Sequence, residues 1–448
     1  MLRKIGKALH RLKPSSQRPP HTVPASQFDL SPEKISPSAL KTVAALTEAG
    51  FEAYVVGGCV RDLILGIKPK DFDVATNATP EETQRLFKRA RIIGRRFQIV
   101  HVRFGREIVE VTTFRGHHTP KARDDATSSK RSRHGLLLRD NVFGSVHEDA
   151  ARRDFTVNAL YYDPNSNLIY DYTGGLTDLK TQTLRVIGDP AARYREDPVR
   201  ILRALRFSAR LGFHLESASG ADIESGAALL DSIPAARLFD ETLKLLMTGH
   251  GVDTWQYLHD HQLDHHLFPE TARATAENPS YGGFLRQALA NTDARVNRGK
   301  HVTPAFLFAA LLWPAVKQRE VGLIKAGNPP GQAYLTAISE TVSAQVKRIA
   351  IPKRFSIPMR EIWEFQPRLQ QRSGQRAFHL VGQPRFRAAY DFLLLREQSG
   401  EDCQGLGAWW TAFQEADEDT RNDMVARIKR KRRPRRRPRK RAPAPHAN

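Results

Sequence analysis
Apolar positions in this chain follow two rhythms, and the change between them divides it. Up to about residue 185 they gather in short runs broken by glycine and polar turns, the pattern of strands and brief helices. Tyr54-Val55-Val56 breaks at Gly57-Gly58 and resumes as a short helix-like segment ending at Gly66. A second strand follows, in which the period of two sets Asp71 and Asp73 on one face while Phe72 and Val74 point into a core. Ile99 to Phe104 and Ile108 to Phe114, separated by Gly105-Arg106-Glu107, predict a β-hairpin. Order is expected from about Ser36, where Ser36-Pro37 caps a helix with a buried stripe of Leu40, Val43, Ala44 and Thr47 and a stop at Gly50. Thr79 to Glu82 fits a capping box. At Asp197-Pro198 a helix start is signalled by acids at the cap, with Arg200 and Arg203 on one face and Ile201, Leu202 and Leu205 on another. From there to Ala426 the spacing is helical, with no alternating strand. The chain reads as α+β, a mixed sheet with helices followed by an all-α remainder.

Charge changes the picture. The 448 residues carry a net charge of +22, which predicts a polyanionic partner: RNA, DNA or an acidic membrane surface. The length exceeds what one core supports, so several domains are expected. Cys59 and Cys403 are the two cysteines, too few for a disulfide framework or a thiolate zinc site, and they point to a reducing cytosol. No apolar stretch is long enough to cross a bilayer. The cations are unevenly spread. Arg427 to Arg441 is almost all Arg and Lys and reads as a disordered polycationic tail. Between Gly116 and Gly135 the chain is polar and basic (Lys121, Arg123, Lys130, Arg131, Arg133), a mobile surface loop suited to ordering on nucleic acid. The first 28 residues contain no acid, and Leu2, Ile5, Leu9 and Leu12 share a helical face. Three readings stay open for this arm: a membrane-surface anchor, a targeting peptide, or a disordered basic segment that touches RNA.

The chemistry centres on residues 54–76. Side-chain-free Gly57 and Gly58, between a strand and a helix, let backbone N–H groups approach an anion. With two carboxylates on the following strand they make a holder for a divalent metal and a nucleoside triphosphate, which points to nucleotidyl transfer. Glu110 is a lone acid amid Ile108, Val109 and Val111 and is costly to bury unpaired. A metal shared with Asp71 and Asp73, or an ion pair with an arginine, would satisfy it. Other features read as structural. His259, His261, His265 and His266 with Asp260 and Asp264 crowd into one helix-like segment and make a solvated polar face. Trp409-Trp410 reads as a helix-packing pair, and Gly174-Gly175 as a turn rather than a second phosphate loop.

Four ordered motifs then stand together: Gly57-Gly58-x-x-Arg61-Asp62 with Asp71-x-Asp73; Arg152-Arg153-Asp154-Phe155-Thr156-x-Asn158-Ala159; Asp171-x-x-Gly174-Gly175; and Glu196-Asp197-Pro198-x-Arg200-x-x-Arg203. In these the chain resembles the tRNA nucleotidyltransferase/poly(A) polymerase family in its bacterial class. Gly94 to Phe97 with His101-Val102, Phe114 to His118, Leu138 to Gly144, Thr303 to Ala310, Ile351 to Arg354 and Pro384 to Asp391 resemble the polymerase branch rather than the CCA-adding branch. The resemblance covers about residues 30–441. It implies a disordered basic arm (1–30), a nucleotidyltransferase head (31–185), a helical neck that reads base and RNA (186–250), a helical RNA-binding body (251–426) and a disordered tail (427–448).

It implies a monomeric, cytoplasmic enzyme that adds AMP from ATP to the 3′ ends of mRNA and small RNA without a nucleic-acid template. CCA addition to tRNA is the near alternative, and an inactive RNA-binding protein with the same fold is the alternative of another class. By the same resemblance Asp71 and Asp73 hold two Mg²⁺ ions, supported by Glu110. Gly57 and Gly58 let the backbone reach the phosphates, and Arg61 pairs with them. Arg152, Arg153 and Asn158 line the ribose and triphosphate side, where Asp154 is a catalytic acid or a brace. Asp197 and Arg200 read the base edge, and Arg203 extends to phosphates.

Overall fold
The computed structural model describes residues 19–94, 98–116, 129–131, 137–140 and 142–428. These fall into two compact units, one reaching Leu246 and taking in Asp253–Leu267, the other made of Met247–Val252 and the chain from Phe268 on. The N-terminal arm to residue 18, the tail from residue 429, and residues 117–128 and 132–136 of the basic loop lie outside the described residues.

The first unit is built on an eight-stranded mixed sheet. Its strands are β1 (His21–Pro24), β2 (Ala53–Val56), β3 (Asp73–Thr76), β4 (Ala90–Ile93), β5 (Ile99–Phe104), β6 (Glu107–Thr113), β9 (Leu160–Asp163) and β10 (Leu168–Asp171), with β7 (Ser129–Arg131) and β8 (Leu137–Asp140) forming a separate pair. The order across the sheet is β1-β10-β9-β2-β3-β6-β5-β4. The central strands β2 and β3 run antiparallel, and β3 pairs in parallel with β6. Val55, Val56, Val74, Ala75, Val109 and Val111 are buried there, so the β-branched runs of the sequence become the middle of the sheet.

Order begins earlier than Ser36. β1 adds to the sheet edge by pairing with β10, and short 3₁₀ turns follow at Ala25–Phe28 and Pro32–Lys34. Only Val23 of β1 is buried, so the strand is held by backbone pairing and has no apolar alternation to betray it. Helix α1 (Pro37–Glu48) has the expected cap, with the Ala39 amide donating to Ser36 Oγ at 3.0 Å. Its buried stripe is Ser38, Ala39, Thr42, Val43 and Leu46, one position away from the one expected. The Thr42 hydroxyl donates to the Ser38 carbonyl at 2.8 Å, which lets a polar residue take a core position. Helix α2 (Gly58–Ile64) follows the glycine turn, α3 (Pro80–Leu86) opens on the Thr79–Glu82 capping box, and α4 (Val146–Arg152) opens on a similar box from Ser145 and Glu148.

The neck departs from expectation in two places. Helix α5 (Gly175–Lys180) leads to β11 (Thr183–Leu184), which pairs in parallel with β12 (His214–Leu215), a strand inside a stretch read as wholly helical. The helix start expected at Asp197 is a junction instead. Glu196 ends α6 (Pro190–Glu196), Asp197 lies in extended backbone, and Pro198 precedes α7 (Val199–Leu211) without a side-chain cap. Acid-then-proline therefore marks a break between two helices, because proline removes an N–H and restricts the residue before it. Helices α8 (Ser217–Gly226) and α9 (Ala235–Leu246) complete the neck.

The second unit is helical. Its longer helices are Ser280–Asn297, Pro304–Lys325, Pro330–Arg348, Lys353–Leu369 and Phe386–Gln398. A buried cluster of Phe365, Leu369, Tyr390, Leu393, Trp410 and Phe413 joins its last helices. Trp410 is fully buried, donates Nε1–H to the Leu369 carbonyl at 3.0 Å and meets Trp409 edge-on, so the tryptophan pair is a packing element. No helix among the described residues is long and apolar enough to cross a membrane.

Candidate active site
Sheet register brings the first set of site residues together. Val56, the last residue of β2, is the partner of Asp73, so the carboxylate stands beside the turn that starts at Gly57. On its other side Asp73 is the partner of Glu110. Gly57 adopts φ 85°, ψ −135°, a conformation open to glycine, and a Cβ there would meet Arg153 Nη1 at 3.4 Å. Its own N–H donates to the Leu160 carbonyl at 3.2 Å, which leaves the first amides of α2, from Gly58 on, without acceptors inside the helix.

Asp71 lies two residues before β3 and is exposed, and Phe72 is half-buried, so the strand is shorter than its sequence pattern and Phe72 does not enter the core as expected. Phe72 instead lines a cavity of about 420 Å³ with Leu63, Ile67 and Lys68. Burial pushes the Asp73 carboxyl up to about 6; Glu110 adds to the rise, Arg153 opposes it and Asp71 contributes further. Glu110 is half-exposed and lies 3.3 Å from His101 Nε2, so the burial cost expected for it does not arise. Asp71, Asp73 and Glu110 offer only oxygen donors and repel one another, which suits a hard divalent cation. Among the described residues no three acidic, histidine or cysteine side chains converge on one point, so waters and substrate phosphates would have to complete a coordination shell.

Opposite the turn, Arg153 is fixed from behind. Its Nε and Nη2 donate to Asp149 Oδ2 at 3.1 and 3.0 Å, Nε also donates to the Tyr161 hydroxyl at 2.9 Å, and that hydroxyl donates to Asp149 at 2.6 Å. Burial disfavours its charge, but Tyr161 and Asp149 outweigh burial and raise its pKa. Arg152 donates to the Gly116 carbonyl. Asp149 and Tyr161 were not singled out from sequence; an Asp four residues before an Arg, at helical spacing, is a signal that could have found the Asp149–Arg153 pair.

Arg61, expected on a phosphate, is used internally. It is buried, its Nε and Nη2 donate to Asp62 Oδ1 at 2.8 and 2.5 Å, and its Nη1 donates to Asn158 Oδ1. Burial lowers its pKa and Asp62 opposes the shift. Asn158 passes the contact on, donating Nδ2–H to Asp154 Oδ1 at 3.2 Å. Asp154 also accepts from the Phe155 amide at 2.8 Å and from Arg203 Nε at 2.8 Å. Burial would raise the Asp154 carboxyl, but Arg203 and the hydrogen bonds hold it at about 2. Asp154 is thus engaged by Arg203, by Asn158 and by the Phe155 amide.

Asp197 and Arg200, expected to read the base, sit at the junction between α6 and α7. Asp197 Oδ2 accepts from Arg237 Nη2 of α9 at 2.8 Å, and the Arg200 amide donates to the Asp197 carbonyl at 2.9 Å. Arg200 Nη1 donates to the Arg193 carbonyl at 2.7 Å and to Glu196 at 3.3 Å. Arg193, also missed from sequence, donates Nη2–H to the carbonyls of Arg152 and Arg153 at 2.6 Å each, tying α6 to the end of α4.

The remaining expectations resolve structurally. Asp171 accepts from the amides of Thr173, Gly174, Gly175 and Leu176 at 2.8–3.0 Å, so the second glycine pair is already capped by a carboxylate. The histidines go to separate acids: His259 to Asp264 at 2.8 Å, His266 to Asp231 at 3.2 Å and His261 to Glu224 at 3.8 Å.

Comparison with known proteins bears on the whole chain. Residues 53–185 match the poly A polymerase head domain, residues 212–275 a probable RNA and SrmB-binding site of polymerase A, and residues 326–443 the polymerase A arginine-rich C-terminus. The poly(A) polymerase I of Salmonella typhimurium is 46% identical over 419 residues, covering 92% of this chain and 90% of that one. A CC-adding tRNA nucleotidyltransferase of Halalkalibacterium halodurans is 37% identical over 221 residues, covering 49% of this chain and 51% of that one. In structure the chain is similar to the Bacillus stearothermophilus CCA-adding enzyme in complex with CTP, with a TM-score of 0.56 and 24% identity over 88% of this chain and 83% of that one.

Proposed function
The chain belongs to the bacterial poly(A) polymerase family, and we propose that it extends RNA 3′ ends by transferring AMP from ATP without a nucleic-acid template, releasing pyrophosphate. The observation that carries the reading is Asp73 held by sheet register between the glycine turn and Glu110, with Arg153 fixed opposite. Asp71 and Asp73 hold magnesium, with Glu110 adding negative charge beside them. Magnesium bound there supplies Lewis-acid chemistry, making the RNA 3′-hydroxyl easier to deprotonate and neutralising charge on the triphosphate. Gly57 and Gly58 keep the turn free of side chains, so the triphosphate can lie against backbone amides. Arg153, held in place by Asp149 and Tyr161, faces that place and stabilises charge that builds on the phosphates. Arg152 flanks the same side.

Asp197 and Arg200 read the base. A carboxylate accepts from an exocyclic amine and a guanidinium donates to a ring nitrogen, so the pair suits adenine or cytosine. The preference for ATP over a CTP-then-ATP sequence is supported by the polymerase identity over nine-tenths of the chain, against half for the CC-adding relative. The enzyme works in the cytoplasm as a monomer on mRNA and small-RNA 3′ ends, and the basic loop and tail add affinity that does not depend on RNA sequence. The test is to incubate the protein with magnesium, each nucleoside triphosphate in turn, and either a generic labelled RNA or a truncated tRNA. Long tails with ATP are expected. Two cytidines and one adenosine added only to truncated tRNA would replace this reading with CCA addition, and no addition to either RNA would leave an RNA-binding protein.

A further inference from the structure
Helix α7 meets the head at two acids through two arginines seven residues apart. Arg203 holds Asp154, and Arg210 Nη2 donates to Asp62 Oδ2 at 2.8 Å. The two acids are themselves joined through the head: Asp62 to Arg61, Arg61 to Asn158, and Asn158 to Asp154. The contacts therefore close a ring that leaves α7 at one arginine and returns to it at the other. Phe207 sits between them on the helix. Its ring lies 5.1 Å from the Arg61 guanidinium carbon, 5.7 Å from that of Arg203 and 4.7 Å from that of Arg206, and it packs edge-on against Phe155 of the head at 5.7 Å. Cations over an aromatic face attract it, so the ring fills the loop that the ion pairs close.

The same helix begins two residues after Asp197 and carries Arg200, so its register against the head sets where the base readers stand relative to the glycine turn. We propose that Arg210 is a positioning residue for nucleotide choice: by holding Asp62 it fixes that register at the end of α7 far from the base. Asp62 is almost wholly buried and already takes Arg61, whereas Arg210 is 36% exposed. Truncating Arg210 thus removes the outer tether while Arg61 still neutralises Asp62. Because the Asp62 carboxylate keeps Arg61 as a partner, losing Arg210 does not leave an uncompensated buried charge, which separates a positioning role from a structural one. The readers then sample more than one placement, and base-dependent contacts weaken more than the triphosphate contacts that all nucleotides share.

This rests on the polymerase reading above. The experiment measures kcat/KM for ATP and for CTP with a generic RNA, in the wild type, Arg210→Ala and Arg210→Lys, alongside thermal melting. The expected result is a fall of about tenfold in the ATP-to-CTP ratio for Arg210→Ala, mostly through KM for ATP, with partial recovery in Arg210→Lys and little change in melting temperature. If Arg210→Ala melts early, Arg210→Lys carries the test, because it keeps the charge and loses the planar fork. A wild-type ratio in the variants, or an equal loss for both nucleotides, overturns the positioning role alone. A wild type with no preference for ATP overturns the polymerase reading itself, and the positioning role with it.

Discussion
Arg203, on the first long helix of the neck, clamps Asp154 of the head, with Nε donating to Oδ2 at 2.8 Å. The motif acid that sequence read as a catalytic acid or a brace is engaged by α7 of the neck.

This pairing makes stability depend on pH in a definite direction. Asp154 is held at about 2 against an ordinary 3.8, because Arg203 and the hydrogen bonds outweigh burial. A depressed carboxylate stabilises the folded state above its unfolded pKa and loses that contribution as pH falls through the folded one. The shift is worth about 2 kcal/mol, so between about pH 5 and about pH 1.5 the wild type should lose about that much more unfolding free energy than Asp154→Asn. Urea unfolding at stepped pH measures it. Parallel curves for the two proteins would show that Arg203 does not hold the carboxylate.

A second prediction concerns the turn at Gly174-Gly175. A Cβ on Gly175 would lie 2.3 Å from the Thr156 carbonyl oxygen, inside contact distance of a backbone atom that cannot swing away. Thr156 belongs to the motif that carries Asp154, so this close approach seats α5 against that segment. Gly175→Ala should destabilise the first unit by about 1–3 kcal/mol through overpacking, read as a lowered urea midpoint. A midpoint at the wild-type value would mean that the loop can retreat.

Much of this site was legible in the chain because its chemistry is local. Gly57-Gly58, Asp71 and Asp73 lie within one strand–turn–helix–strand passage, and the parallel neighbour that carries Glu110 showed as an apolar run with an acid inside it. Internal partners were harder to read. Arg61 and Arg203 were expected on phosphates because an arginine in sequence shows its charge and not its partner; here they meet Asp62 and Asp154, and the pairing of Arg203 depends on how the neck meets the head. Asp149, Tyr161 and Arg193 were missed for the same reason, since each works by bracing another residue rather than by belonging to a spaced motif. β1 left no signal because it is held by backbone hydrogen bonds, and the α1 stripe shifted because Ser38 and Thr42 are buried with their hydroxyls bonded, Ser38 donating to the Glu107 carboxylate of β6 and Thr42 to the Ser38 carbonyl.

The most direct measurement is extension of a 3′-hydroxyl RNA by ATP and magnesium in the wild type and in Asp73→Asn, with RNA binding followed in parallel. Wild type should build long adenosine tails. Asp73→Asn should lose at least about a thousandfold in rate while binding RNA as before, because the carboxylate proposed to hold magnesium is gone and the basic surface is untouched. Tails made by Asp73→Asn at the wild-type rate would contradict the account.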